Sequence, residues 1–299
     1  MAQASPKGES PMPDSLPIPL TSPLSRAQQT SLVNLVRRAA KTEIMPHFRN
    51  LGHADISAKA DRFDLVTAAD VAAEAMLARG IQQLFPHALV VGEEAAAEDP
   101  SITDKLAEAE LAFIIDPVDG TWNYAHGLSL FGVILSATRF GRPVWGLLYD
   151  PVMDDWITAD EGSEGAMLAR SLGADRPLSV SRGAELSDLS GFVPLYALPE
   201  EKRAALAETL PRFAFTTALR CACHHYRTLA QGGMDFLLSG PPKPWDHAAG
   251  VLITQKAGGV ARMLDGSDFV AGKMDSYVLT APDEQSWTRL RDTFSFLLD

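Results

Sequence analysis

Two aspartates three residues apart follow an apolar run that reads as a buried strand. Phe113-Ile114-Ile115 leads directly into Asp116-Pro117-Val118-Asp119-Gly120-Thr121. Acids at the end of such a strand must face something polar. Pro117 holds the residue before it extended and Gly120 allows a tight turn. Both carboxylates can therefore address one point, with the Val118 carbonyl between them. That oxygen-rich corner suits a hard divalent cation such as Mg²⁺. An Asx turn with an aspartate as cap accounts for the hexapeptide equally well.

Other segments carry acids or nucleophiles in suggestive places. Gly92-Glu93-Glu94 follows the apolar residues 89–91, which puts acids at a second strand end; Glu94 alone reads as part of a solvated loop. Trp245-Asp246-His247-Ala248-Ala249-Gly250 opens a helix with an acid, and an ordinary N-cap is the simpler reading of Asp246 taken alone. In Asp64-Leu65-Val66-Thr67-Ala68-Ala69-Asp70, Thr67 and Asp70 have capping-box spacing. Cys221-Ala222-Cys223-His224-His225 has the composition of a zinc site. Five consecutive residues rarely wrap one ion tetrahedrally, however, and no second cysteine pair completes it, so buried thiols and helix-face histidines are expected. A disulfide between cysteines two apart would be strained.

The elements that must position these groups are legible from periodicity. Leu32, Leu35, Val36, Ala39, Ala40 and Ile44 recur at helical spacing after a start at Ser22-Pro23. Residues 67–85 form a second helix, with Ala68, Ala72, Ala75, Met76 and Ile81 expected inside. Residues 89–92 and 111–115 are short buried strands, the latter stopped by Asp116-Pro117. Residues 131–140, 143–149 and 156–159 read as an antiparallel meander. Beyond Gly165 strands and helices alternate: strands at 179–180 and 191–195, helices at 199–210, 226–231, 246–257 and 284–298. The class is α/β with mixed sheets. Residues 1–22 hold five of the 20 prolines and are expected to be a flexible tail. Residues 23–160 and 161–299 are expected to be two subdomains, the first with most of the acidic motifs and the second adding Asp246 and the substrate pocket.

Composition limits the partners. The chain has 299 residues, 46% of them apolar, which excludes wholesale disorder. Its net charge of −12 and the lack of a basic cluster argue against nucleic acid or anionic lipid as the main partner. Two cysteines, no signal-peptide pattern and no apolar run of membrane-spanning length point to a cytoplasmic protein.

In this order, the four acidic segments resemble the motifs of the inositol monophosphatase family: G-E-E, D-P-[IVL]-D-G-T-x-N and W-D-x-A-A-G, preceded by D-x-V-T-x-x-D. The similarity runs from about Ser25 to the C-terminus. It implies a layered α-β-α-β-α sandwich, a homodimer, and a Mg²⁺-dependent, Li⁺-sensitive phosphatase using two or three ions. It further implies Glu93, Asp116, the Val118 carbonyl, Asp119 and Asp246 as metal ligands. Asp70 and Thr121 match the pair that orients the attacking water, with Glu93 beside them in the catalytic group. Gly120 and Thr121 match the backbone amides that receive phosphate. Glu94 and Lys59 match accessory positions near a third metal, and Asn123 and Tyr124 match structural ones.

The chain departs from the family where the alcohol half of the substrate should lie. Its G-[ST]-A-A segment is replaced by Arg220 to His225, and an acid seven residues before the W-D aspartate is replaced by Ser239. An arginine suits phosphate or carboxylate, so Arg220 is expected to favour a second anionic group. The expected function is hydrolysis of inositol monophosphate or a related small phosphate monoester. Histidinol phosphate, a 3′-phosphorylated nucleotide and a sugar bisphosphate are the alternatives, and a non-catalytic regulator is the reading from another class.

Overall fold

The first helix, α1 (Arg26–Ala39), begins with a reciprocal cap: the Gln28 amide donates to the Ser25 hydroxyl, and the Gln28 side chain accepts from the Ser25 amide. The start expected at Ser22-Pro23 lies outside the described residues, which in this computed structural model are 24–52, 55–58 and 65–299. The tail expected over residues 1–22 lies outside them as well. Helix α1 continues into a π turn, Ala40–Ile44, and buries Leu32, Val36, Ala39, Ala40 and Ile44 as the spacing predicts. A short antiparallel pair, β1 (Ile56–Ala58) and β2 (Leu65–Thr67), leads into α2 (Ala68–Leu84).

The inner face of α2 differs from the expected one by one position. Ala69, Asp70, Ala73, Glu74, Leu77 and Ile81 are buried, while Ala68 and Ala75 are exposed. Apolar periodicity could not show this, because two of the inward positions are carboxylates.

Seven strands lie side by side in sequence order: β3 (Leu89–Gly92), β4 (Ala112–Asp119), β5 (Gly132–Arg139), β6 (Arg142–Asp150), β7 (Asp155–Asp160), β8 (Met167–Arg170) and β9 (Arg176–Pro177). Only β3 and β4 are parallel; the rest form the expected meander and its extension. Two short helices, α3 (Glu93–Glu98) and α4 (Thr121–Ala125), leave the ends of β3 and β4. Residues on both sides of position 160 share this sheet, so the change of pattern there is not a break in it.

The second sheet has the order β11-β10-β12-β14-β13 and mixes parallel and antiparallel pairs. In chain order its strands and the remaining helices are β10 (Ser190–Phe192), α5 (Glu200–Thr209), β11 (Phe215–Thr217), α6 (Ala222–Ala230), β12 (Phe236–Leu238), α7 (Pro244–Lys256), β13 (Val260–Met263), β14 (Val278–Ala281) and α8 (Glu284–Phe294). Residues 179–180 are not a strand, although the Val180 amide bonds to the Ala257 carbonyl. Helix α6 starts at Ala222, well before the expected residue 226.

Packing sorts these elements into five layers. Phe113, Ile115, Val133, Leu135 and Leu147 of the large sheet lie under α1 and α2. Its other face, with Ile134, Leu148 and Ile157, meets Tyr226, Leu229, Leu252 and Ile253 of α6 and α7. Those two helices are covered in turn by Phe192 and Leu237 of the small sheet, and Trp245 and Val251 meet Ala261, Met263 and Val278. The far side of that sheet, Phe236, Leu238 and Leu279, is closed by Leu206 of α5 and Trp287, Leu290 and Phe294 of α8. The architecture is the α-β-α-β-α sandwich that the resemblance implied.

Candidate active site

Strand β4 does not stop at Asp116. It runs through Asp119, and its register against β5 slips between those two residues. In an unbroken strand residues three apart point to opposite faces. Pro117, which can donate no ladder hydrogen bond, sits within the slip. Carboxylate oxygens of Asp116, Asp119 and Asp246 all lie within 4.8 Å of one another. Asp246 arrives from the first turn of α7, where it is the third helical residue; the N-cap position belongs to Lys243, and Pro244 comes first. Glu93, the first residue of α3, lines the same cleft.

The electrostatics of this group are those of an anionic site in need of a counter-ion. Burial, and then the charges of Glu93, Asp119 and Asp246, hold the Asp116 carboxyl well above the usual range. Burial likewise raises Asp246, with Asp119 adding to it. Asp116 Oδ1 is buried with no hydrogen-bond partner among the described residues. Crowded all-oxygen donors, Asp116 and Asp119 buried and Asp246 half-buried, with an orphaned acceptor fit a hard divalent cation.

Asp119 is held differently. The Cys221 thiol donates to its Oδ2 at 3.0 Å, the Ala222 amide donates to Oδ1 at 3.1 Å, and the Cys223 amide donates to Oδ2. The start of α6 thus clasps this carboxylate. Burial raises its pKa, while the donors pull the other way.

Asp70 lies in the first turn of α2. Its Oδ2 accepts from the Thr67 amide at 2.9 Å and from the Thr67 hydroxyl, and its Oδ1 stands 3.3 Å from Thr121 Oγ1. Burial pushes its pKa up to about 7. Thr121 Oγ1 also lies 3.0 Å from the Val118 carbonyl. The turn between Asp119 and Thr121 depends on Gly120, whose φ is +88°; a Cβ there would sit 2.9 Å from the Leu130 carbonyl.

Among the positioning residues Glu74 escaped the sequence reading, whereas Asn123 and Tyr124 are the structural positions that the resemblance implied. The Glu74 carboxylate accepts from the amides of Glu94 (2.8 Å) and Ala95 (2.9 Å) and so fixes the turn that carries Glu93. Its one sequence signal is an acid four residues after Asp70, on the same helix face. The Asn123 side chain donates to the carbonyls of Leu130 and Leu219, both at 2.8 Å, and the Tyr124 hydroxyl donates to that of Ile44. His225 Nε2 accepts from the Leu219 amide at 2.8 Å, and burial pushes this histidine down to about 3.

The cysteines and histidines of the 221–225 segment face separate partners. Cys221 meets Asp119, Cys223 Sγ lies 3.7 Å from the Tyr149 carbonyl, and His224 Nε2 is 3.1 Å from that of Phe131. Lys59 is outside the described residues.

Glu93, Asp116, Asp119 and Asp246 line a cleft of about 760 Å³ together with Tyr196, Arg203, Arg220, Ser239 and Lys243. The Arg220 guanidinium lies 4.6 Å from the Trp122 ring centre and 4.8 Å from that of Tyr196. The Ser239 hydroxyl donates to the Gly240 carbonyl at 2.6 Å and accepts from the Val278 amide at 2.8 Å. It ties β12 to β14, a role that its place in the sequence did not suggest.

A five-layer sandwich with acids gathered from the end of β4 and the first turns of α3 and α7 defines a class, and comparison with known proteins places the chain in it. The model of the inositol monophosphatase family matches residues 26–294, and the chain belongs to that family. It is 29% identical over 212 residues to a protein of Thermotoga maritima named fructose-1,6-bisphosphatase/inositol-1-monophosphatase, covering 69% of this chain and 73% of that one. It is 31% identical over 209 residues to a putative Nus factor SuhB of Neisseria meningitidis, covering 69% and 76%. A solved IMPase structure from Thermotoga maritima superposes with a TM-score of 0.74 at 22% identity, covering 91% of this chain and 98% of that one. Among the described residues no helix is long and apolar enough to cross a membrane.

Proposed function

We propose that this chain is a metal-dependent phosphomonoesterase that hydrolyses a small phosphate monoester by in-line attack of water. The observation that carries the reading is the convergence of Asp116, Asp119 and Asp246 beside the Asp70–Thr121 pair. Mg²⁺ held by Glu93, Asp116, the Val118 carbonyl, Asp119 and Asp246 would supply charge neutralisation at the phosphoryl group and a more acidic water. The chain's own groups do the rest. Thr121 Oγ1, bonded to Asp70, orients the water that attacks. Asp70 Oδ1, 3.3 Å from Thr121 Oγ1, is placed to take the proton that reaches Thr121. The backbone at Gly120 and Thr121, which lines the cleft at the start of α4, receives the phosphate. Catalysis by positioning and electrostatics requires no serine or cysteine nucleophile.

The name Nus factor SuhB among the relatives raises a second reading, a regulator that has kept the fold. No acidic ligand expected of the family has been lost here, and the net charge of −12 still argues against nucleic acid. The test is phosphate release from a panel of monoesters with and without Mg²⁺, and with Li⁺ added. Mg²⁺-dependent release that disappears in Asp116→Asn is expected. A folded protein that releases no phosphate from any of them would overturn the reading.

A further inference from the structure

We infer that His225 and His247 set substrate selectivity: each presents one imidazole N–H to the cleft, and together they favour a phosphate monoester whose alcohol half carries an uncharged acceptor oxygen of the ether kind. This rests on the phosphomonoesterase reading above.

Both histidines line the cleft, yet they are only 5% and 6% exposed, too buried for surface residues. They are near enough to each other for charge on His247 to disfavour charge on His225. The chemistry proposed above uses neither.

One nitrogen of each ring is committed to the protein, and that commitment decides where the proton sits. The Leu219 amide can only donate, and it reaches His225 Nε2 at 2.8 Å. Nε2 is therefore the acceptor, and the proton of the neutral ring is on Nδ1. Around His247 the order is reversed. Its Nδ1 lies 2.9 Å from the hydroxyl of Tyr226, a fully buried side chain. Among the described residues that hydroxyl has no other hydrogen-bond partner. A buried O–H is seldom left without an acceptor, so Tyr226 donates and His247 carries its proton on Nε2.

The remaining nitrogens, His225 Nδ1 and His247 Nε2, have no hydrogen-bond partner among the described residues. Neither is sealed from solvent, and the cleft is the opening that both side chains line. Phe192 lies against His225, ring centres 4.3 Å apart, and restrains that ring. Two N–H donors thus stand at the cleft with nothing in the protein to receive them. An ether oxygen can accept from such a donor, whereas a methylene in its place would cover the donor and leave it unpaired.

The experiment compares kcat/KM, with Mg²⁺ present, for two isosteric pairs in which an ether oxygen replaces a methylene. These are 2-methoxyethyl against butyl phosphate, and tetrahydrofurfuryl against cyclopentylmethyl phosphate. Wild type is expected to favour the ether in at least one pair by about tenfold. His225→Gln puts an amide oxygen where Nε2 accepts from Leu219 and removes the Nδ1–H. His247→Asn likewise keeps an acceptor for Tyr226 and removes the Nε2–H. Each should reduce the ether preference about threefold to tenfold, chiefly through KM. NMR of the imidazole nitrogens in the metal-free protein gives a readout independent of turnover. It should find the proton on Nδ1 of His225 and on Nε2 of His247. Tyr226→Phe should leave the first unchanged and let His247 populate both forms. No preference for either ether, a preference that survives in both histidine variants, or a His247 proton on Nδ1 would overturn the inference while leaving the phosphatase reading intact. If neither histidine variant folds, the wild-type preference and the NMR decide. Absence of turnover on all four esters and on glycerol 2-phosphate would instead bring down the phosphatase reading and this inference with it.

Discussion

Replacing one acid of the aspartate cluster by its amide should stabilise the metal-free protein, and which acid is replaced should matter. Two ionised carboxylates no more than 4.8 Å apart repel by at least about 3.5 kcal/mol at an effective dielectric constant of about 20. If shared protons relieve about half of one such pair, roughly 2 kcal/mol remains, or a Tm gain of about 4 °C in a chain of this size. Asp116→Asn and Asp246→Asn should show that gain, since Asp116 Oδ1 has no donor to lose and an amide can donate to the carboxylates around it. Asp119→Asn should not. It weakens the charge-assisted bonds from Cys221, Ala222 and Cys223, a loss of about 2 kcal/mol that cancels the relief. The pH dependence has a definite sign. These carboxyls titrate above their unfolded values, so repulsion grows as pH rises. Stabilisation by Asn should therefore be largest near about pH 8.5 and shrink toward about pH 5.5, where the native cluster holds its protons. The assay is calorimetric melting in a chelator at both pH values, repeated with Mg²⁺. Mg²⁺ should raise the wild-type Tm most at high pH and the Asp116→Asn Tm far less. Lower melting of Asp116→Asn and Asp246→Asn at both pH values, or equal gains for all three variants, would refute the reasoning.

Other expectations follow from the same geometry. Thr121→Ala should cut kcat by about 10²-fold while the Mg²⁺-induced Tm shift survives, because positioning rather than ligation is lost; near-normal kcat would remove Thr121 from the mechanism. Glu74→Gln should weaken Mg²⁺ binding about tenfold in a thermal-shift titration, since it loosens the two amides beside Glu93; unchanged affinity would make Glu74 merely structural. Gly120→Ala should cost about 1–3 kcal/mol in urea unfolding, given the positive φ and the nearby Leu130 carbonyl; an unaffected midpoint would show that the turn can shift.

The parts that were legible in the sequence are those where local pattern and burial agree. The strand at residues 89–92, the meander after Phe131 and the buried stripe of α1 have regular periods and pack as those periods require. The acids of the site were legible through the resemblance of their segments to the family motifs; read alone, Asp116 and Asp119 fit an Asx turn equally well and Asp246 an N-cap. What escaped follows a consistent pattern. The inward face of α2 was misread because Asp70 and Glu74 are polar residues in apolar positions. Strand β4 runs past the stop that Pro117 predicts, because that proline, which normally breaks a ladder, sits where the register slips. The use of the Ser239 hydroxyl between two strands depends on Val278, which is distant in sequence and invisible to any window reading. The contacts of Arg220 with Trp122 and Tyr196 likewise join residues from three separate segments.

The clasp on Asp119 has a consequence for anyone wishing to redesign this chain. One carboxylate belongs to the metal-ligand set proposed above and also anchors the backbone just beyond Arg220. The loop at residues 218–223, part of which lines the cleft, is therefore not an interchangeable cassette. A graft of residues 218–223 from a relative would carry over new selectivity only if it also restored two amides and a donor at the same carboxylate. Otherwise the transplant would misplace an ion before it met any new substrate. Substitutions meant to change selectivity while keeping that anchor belong at Tyr196, Arg203 or Lys243, which line the cleft and make none of the bonds to Asp119.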